Sequence, residues 1–245
     1  MDQIDEIGEE ILVSEAVEPL RNRQIRPKDL SKGQNGWREG LVCRGLNSRL
    51  RAVLLLIEEA LNGNPDPRIY AVEAVTPMAH LLGENFPRFF GSEYTLNEDQ
   101  RAEMWPIRFE DLTSLSFDDD LFDIVTTNEV LEHVPSVDQA LGEIHRVLKP
   151  GGWHIGTHPF AFMSEDSIVK AGIVDGQVTH FMEPEYHGNP MSSEGSLVFE
   201  IPGWDIIERA LNIGFSNAIM QYVVSKNNAC LADHTGGIFV LCCQK

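Results

Sequence analysis

Two arginines, Arg49 and Arg51, come directly after Asn47 and Ser48, residues suited to cap a helix that continues through Leu50, Val53, Leu54 and Ile57. Free amides at a helix start and guanidinium groups converge there, an arrangement that can hold a carboxylate or phosphate. The ordinary alternative is that both arginines pair with surface acids, in a chain with 38 Asp and Glu residues. A second group of polar residues follows short apolar runs: Glu73 after Ile69 to Val72, Glu93 after Phe89 and Phe90, Asn128 and Glu129 after Phe122 to Val125. A carboxylate in such a place offers the pair of acceptors that a vicinal diol needs. A third group, His158, His180 and His187 with Tyr186, lies in a segment rich in aromatics and prolines and is suited to acid–base work or to binding an acceptor. His180 and His187 with Glu183 or Glu185 lack the spacing of a recognised metal motif, and no metal is expected.

The elements that must position these residues follow from periodicity. Phe122 to Val125 reads as a strand, and Val137, Ala140, Leu141, Ile144 and Leu148 recur with helical spacing. Lys149 to Gly152 stops that helix, and Trp153 to Thr157 reads as the next strand. In such an open parallel sheet the ligand crevice lies at the C-terminal strand ends, which places Asn128, Glu129, His133 and the segment after Thr157 beside it. Residues 203–213 supply a helix with an apolar face, and residues 218–224 and 237–243 two final strands. Near the start, Ile4, Ile7, Ile11 and Leu12 share one face of an acidic helix. The basic segment from Arg21 to Arg44, with Pro27, Gly33, Gly36 and Gly40, is expected to be turns with little regular structure.

Composition narrows the function. A formal charge of -19 over 245 residues argues against nonspecific duplex binding, which needs clustered Lys and Arg, so no nucleic-acid partner is expected. Cys43, Cys230, Cys242 and Cys243 form no zinc pattern and are expected to be buried, reduced thiols. Without a signal segment or an 18-residue apolar run, the expectation is a cytoplasmic protein with no membrane partner.

The stretch from Asp123 through Glu129, Leu131, Glu132, His133 and Pro135, continued by Arg146 to Gly152, resembles the signature of the class I S-adenosylmethionine-dependent methyltransferases. That resemblance implies an α/β fold: a doubly wound, mostly parallel seven-stranded sheet with a reversed last strand. An N-terminal helical extension over residues 1–67, able to cover cofactor or substrate, precedes a methyltransferase-like domain over 68–245 with a substrate-side insertion at 159–199. It also implies roles. Glu73 ends the first strand, Glu93 accepts from the ribose hydroxyls, Asp111 accepts from the adenine amino group, and Leu112 supplies adjacent apolar and backbone contacts. Asn128 lies in the cofactor crevice. The chain departs from the family where a glycine-rich turn should follow Glu73, because Val75, Pro77 and Ala79 stand at the alternating glycine positions. The backbone from Ala74 to Pro77, with Asn47, Ser48, Arg49 or Arg51 on the cofactor's carboxylate, is expected to compensate.

The function implied is methyl transfer from the cofactor S-adenosylmethionine to a small-molecule nucleophile, with a sugar or polar-metabolite hydroxyl as the favoured acceptor. Amines and carboxylates stay open as acceptors, as does a homo-oligomer. The glycine losses motivate an alternative, a catalytically inactive methyltransferase-like binding or complex-forming protein. A nicotinamide oxidoreductase would need the same absent glycines.

Overall fold

The computed structural model describes residues 3–95, 97–189 and 192–245. Seven strands form the main sheet: β1 (Ile69–Ala71), β2 (Phe89–Glu93), β3 (Arg108–Phe109), β4 (Phe122–Asn128), β5 (Leu148–Thr157), β6 (Asn217–Val223) and β7 (Ile238–Gln244). Their order is β6-β7-β5-β4-β1-β2-β3, and β7 runs antiparallel to both of its neighbours, so the expected reversed last strand lies beside the fifth.

Alternation along the strands builds two cores. Ile69, Ile124, Ile155, Val240 and Cys242 face α2 (Ser48–Leu61) and α3 (Pro77–Asn85). Their neighbours Tyr70, Val125, Leu241 and Cys243 face α5 (Val137–Val147) and α6 (Asp205–Ile213). A period of two along each strand against 3.6 along each helix produces this sandwich. All four cysteines are free and buried.

Local chemistry sets the helix starts. The Asn47 side chain accepts from Leu50 N at 2.8 Å and so caps α2, whereas Ser48 Oγ ties the helix to Ala229 O and Leu231 N, each at 2.9 Å. Thr76 caps α3 with Pro77 in its first turn, Asn97 caps the short α4 (Glu98–Glu103), and Ser136 caps α5. The α5 helix stops at Val147, one residue before the last apolar position expected of it. β5 starts at Leu148 and takes in Lys149 to Gly152 through an irregularity in its register with β4, with Gly151 at φ +81°.

Two segments are more ordered than their sequences suggested. The basic stretch forms two short antiparallel ladders, Ala16–Glu18 with Arg23–Ile25 and Ser31–Lys32 with Leu41–Val42. These pack with α1 (Gln3–Val13) around Ile11, Ile25, Trp37, Leu41 and Leu231. The insertion folds into antiparallel pairs, Ala171–Val174 with Gln177–His180 and Tyr186–Asn189 with Ser192–Leu197. Asp175 and Gly176, both at positive φ, supply the two-residue turn of the first pair. Among the described residues no helix is long and apolar enough to cross a membrane.

Candidate active site

The C-terminal ends of β1, β2, β4 and β5 bring Glu73, Glu93, Asn128 and Thr157 to one edge of the sheet. Both Glu73 oxygens and Asn128 Oδ1 are buried without hydrogen-bond partners. Burial pushes the Glu73 carboxyl up to about 8, with Asn128 and the Arg49 charge working in the opposite direction. Orphaned acceptors of this kind suit a cationic donor, and the ammonium of a methionine moiety is one.

The turn after Glu73 folds without its glycines by a local exchange. Ala74 N donates to Ser92 O at 3.0 Å, and Val75 N donates to Glu93 Oε1 at 3.0 Å. The space that Ala74 and Pro77 need comes from glycines on other elements. A Cβ at Gly91 would lie 3.0 Å from the Ala74 Cβ, and one at Gly45 would lie 3.0 Å from Pro77. The two amides that a glycine turn leaves open are therefore committed to β2. Burial raises the Glu93 carboxyl, and the amides of Val75 and Ala74 oppose the rise.

The N-terminal segment reaches the same edge. Arg49 Nε donates to Glu39 Oε1 at 2.7 Å, its Nη2 to Glu39 Oε2 at 3.4 Å and its Nη1 to Thr157 Oγ1 at 3.1 Å. Arg38 Nη2 donates to Glu129 Oε1 at 2.8 Å, and Glu129 lies 3.7 Å from Arg49 Nε. Burial disfavours charge on Arg49, but the carboxylates of Glu129 and Glu39 outweigh it and hold its pKa above the ordinary value. Burial likewise works against the Glu129 carboxylate, and Arg49 and Arg38 prevail, lowering it to about 2. Two arginines and two glutamates thus form a charge-balanced quartet over the strand tips.

Arg51 is not part of that site. Its guanidinium is fully buried, donating to the carbonyls of Leu46 at 2.6 Å, Leu41 at 3.0 Å, Ala229 at 2.6 Å and Asn228 at 3.0 Å. It meets neither of its expectations, anion ligand or partner of surface acids. The shift of two residues along the helix, about 200° of rotation from Arg49, points it into the joint between α2 and the loop before β7. Ser48 is also committed there.

Asp111 closes its own turn, with Oδ1 accepting from Thr113 N at 2.8 Å and Thr113 Oγ1 at 2.7 Å, and Leu112 is buried beside it. Of the three histidines, His158 lies buried just past β5 with both ring nitrogens unpartnered, and burial lowers its pKa to about 4. His187 packs its ring against His133, with centroids 5.3 Å apart. His180 is exposed at the end of its hairpin, apart from the other two.

Sequence reasoning passed over Glu39, Arg38 as a site residue, and Glu132, whose side chain is fully buried with both oxygens unpartnered. One signal was available for Glu132: an acid beside His133, flanked by the apolar residues Val130, Leu131 and Val134.

The methyltransferase-domain family matches residues 67–156, the segment that carries these strand tips. The chain carries a class I S-adenosylmethionine-dependent methyltransferase domain. It is 55% identical over 92 residues to a demethylmenaquinone methyltransferase of Staphylococcus epidermidis, covering 37% of this chain and 37% of that one. It is 46% identical over 63 residues to the human mitochondrial 2-methoxy-6-polyprenyl-1,4-benzoquinol methylase, covering 25% of this chain and 19% of that one. These matches therefore span well under half of the relatives' length. In fold it is similar to an S-adenosylmethionine-dependent methyltransferase of Mesorhizobium loti, with a TM-score of 0.50 and 15% identity over 79% of this chain and 98% of that chain. It is equally similar to the [4+2]-cyclase SpnF, with a TM-score of 0.50 and 17% identity over 88% of each chain.

Proposed function

We propose that the protein transfers the methyl group of S-adenosylmethionine to a hydroxyl of a polar small molecule, held between the strand tips and the 159–199 insertion. The observation that carries this reading is the set of orphaned acceptors on Glu73 and Asn128 beside Glu93, an arrangement that suits the cofactor's ammonium and ribose diol together. Glu93 grips the ribose, Asp111 and Leu112 border the adenine, and Glu73 with Asn128 receives the ammonium. Arg49 takes the cofactor's carboxylate in exchange for Glu39, whose side chain is one-third exposed and keeps Arg38 and Asn47 as partners. Asn47 holds the helix start that presents Arg49.

The bound cofactor supplies an electrophilic methyl on a sulfonium. The chain's residues must align the acceptor oxygen behind that carbon and accept the hydroxyl proton as the new C–O bond forms. His158 suits the second task, being neutral at physiological pH, buried and without partners on either nitrogen. His187 borders the acceptor from the insertion. Relatives named for quinone methylation align over short stretches of the methyltransferase domain, so a phenolic hydroxyl ranks with a sugar hydroxyl as an acceptor.

The alternative of an inactive binding module draws on one specific observation, the commitment of the Ala74 and Val75 amides to Ser92 and Glu93. Calorimetry with S-adenosylhomocysteine, S-adenosylmethionine and NAD separates the readings. Micromolar binding of the first two supports the enzyme, and no heat with any of the three overturns it.

A further inference from the structure

Part of the 159–199 insertion packs over one buried acid, Glu132. Phe199 N donates to Glu132 O at 2.7 Å, which fixes the strand Ser192–Leu197 and its partner Tyr186–Asn189 over the short turn Leu131–His133. This brings His187 to the adjacent pair Glu132 and His133, more than fifty positions earlier in the chain. His133 Nε2 lies 3.5 Å and His187 Nδ1 lies 3.6 Å from Glu132 Oε1, and one ligand atom from each residue falls within 4.8 Å of the others.

The outer nitrogens of the two imidazoles show what faces inward. His133 Nδ1 stands 2.9 Å from Leu197 O, a carbonyl that can only accept, so Nδ1 carries a proton there. His187 Nε2 stands 3.0 Å from the Glu185 carboxylate, and Lys170 pairs with that same carboxylate and keeps it ionised. Each ring in its neutral form therefore leaves its unprotonated nitrogen on the side of Glu132, whose two oxygens are fully buried and have no donor. Two unprotonated ring nitrogens beside a buried carboxyl are unfavourable unless a proton or a metal ion sits between them. Outer nitrogens held by a carbonyl and by a carboxylate are the supports that metal-bound histidines have. The two separations from Glu132 agree as well, since metal–ligand bonds of about 2.1 Å at tetrahedral angles place neighbouring ligand atoms about 3.4 Å apart.

We propose that Glu132, His133 and His187 bind a divalent transition-metal ion whose open positions take an oxygen of the methyl acceptor. Two imidazoles and one carboxylate favour Zn²⁺, Mn²⁺, Fe²⁺ or Co²⁺ over Mg²⁺ and Ca²⁺, which prefer all-oxygen sets. The open side is at His187, whose side chain is 31% exposed while that of Glu132 is 0%. Glu132 is three residues beyond Glu129 of the strand-tip quartet, so an oxygen held on the ion would lie beside the methyl-transfer crevice. The acceptor role rests on the methyl-transfer reading; metal binding does not.

The test uses the full chain after treatment with a chelator, titrated with Co²⁺ by visible absorption and with Zn²⁺, Mn²⁺ and Mg²⁺ by calorimetry. One equivalent of Co²⁺ and of Zn²⁺ should bind at micromolar concentration or tighter, with Mg²⁺ at least tenfold weaker. Glu132→Gln and His187→Asn should each weaken Co²⁺ at least tenfold and change the Co²⁺ spectrum, while His180→Asn, on the outer hairpin, should leave both unchanged. His187 lies on a surface hairpin, so its variant stays informative even where Glu132→Gln alters folding. No stoichiometric Co²⁺ or Zn²⁺ binding, or binding that survives both ligand variants, overturns the site. S-adenosylhomocysteine titrated into the same samples keeps the two ideas apart. Cofactor-product binding without metal removes only the metal site, and metal binding without cofactor-product binding removes only the methyl-transfer reading.

Discussion

Glu129 leaves the end of β4 in the left-handed backbone region, at φ +55°, and so brings its carboxylate to 3.7 Å from Arg49 Nε, a residue 80 positions earlier in the chain. A non-glycine residue in that conformation costs of order 1 kcal/mol, and the surrounding contacts must hold it there. Here Glu129 N donates to Thr157 O at 2.7 Å, and two guanidinium groups neutralise the side chain. The pair joins the N-terminal segment to the strand tips.

On that pairing rests the expected behaviour of Arg49 variants. Arg49→Lys keeps the charge and loses the planar fork, whereas Arg49→Met removes the charge. Affinity for S-adenosylhomocysteine should fall stepwise from arginine to lysine to methionine, by about 1 to 3 kcal/mol in total. Adenosine, which has no carboxylate, should bind nearly as before. Equal weakening of both ligands by calorimetry would mean that Arg49 acts through packing instead.

Glu93→Gln replaces one acceptor oxygen by a donor at the point where Val75 N already binds. S-adenosylhomocysteine should bind at least ~1 kcal/mol more weakly, with adenosine affected equally because both carry the ribose diol. An unchanged affinity in the folded variant would take Glu93 out of the ribose site.

Glu73 makes the site sensitive to pH. Its folded-state pKa of about 8 stands above the ordinary carboxyl value of 4.5, so between these the folded chain holds a proton that the unfolded chain has lost. Stability from this group is therefore greatest below the ordinary value and declines as pH rises towards about 8. Ammonium binding needs the charged form and runs the other way. Cofactor-product affinity should rise with pH between 7 and 8 by about fivefold, and Glu73→Gln should flatten that rise. The same slope in both proteins would exclude Glu73 as its source.

Arg51→Met should reduce stability and leave ligand selectivity alone. The change strands the carbonyls of Leu41, Leu46, Asn228 and Ala229, at a cost of about 3 kcal/mol or more. Urea unfolding should show the loss. The ratio of S-adenosylhomocysteine to adenosine affinity should stay constant, in contrast to Arg49→Met.

The main strands and helices could be read from the chain itself, because alternation and helical period are local properties that the burial of Ile124 against Val125 or Val240 against Leu241 only repeats, whereas the reversed β7 came from the resemblance of the motifs to a known family. The caps could be read too: Asn47, Thr76 and Ser136 act on amides three residues away. What the sequence could not decide was which polar groups meet. Arg49 and Arg51 are two residues apart and equally basic, yet the turn of α2 sends one to Glu39, Glu129 and Thr157 and the other into four buried carbonyls. The room for Ala74 and Pro77 comes from Gly91 and Gly45, on elements that become neighbours only once the sheet and its cover have formed. Glu132 and His187 are 55 positions apart with no spacing rule to relate them, and the folding of the insertion back over Leu131–His133 is what brings them together. Period and capping act within a few residues of one chain segment, whereas charge pairing and steric room depend on distance in space, which only the packed tertiary structure sets.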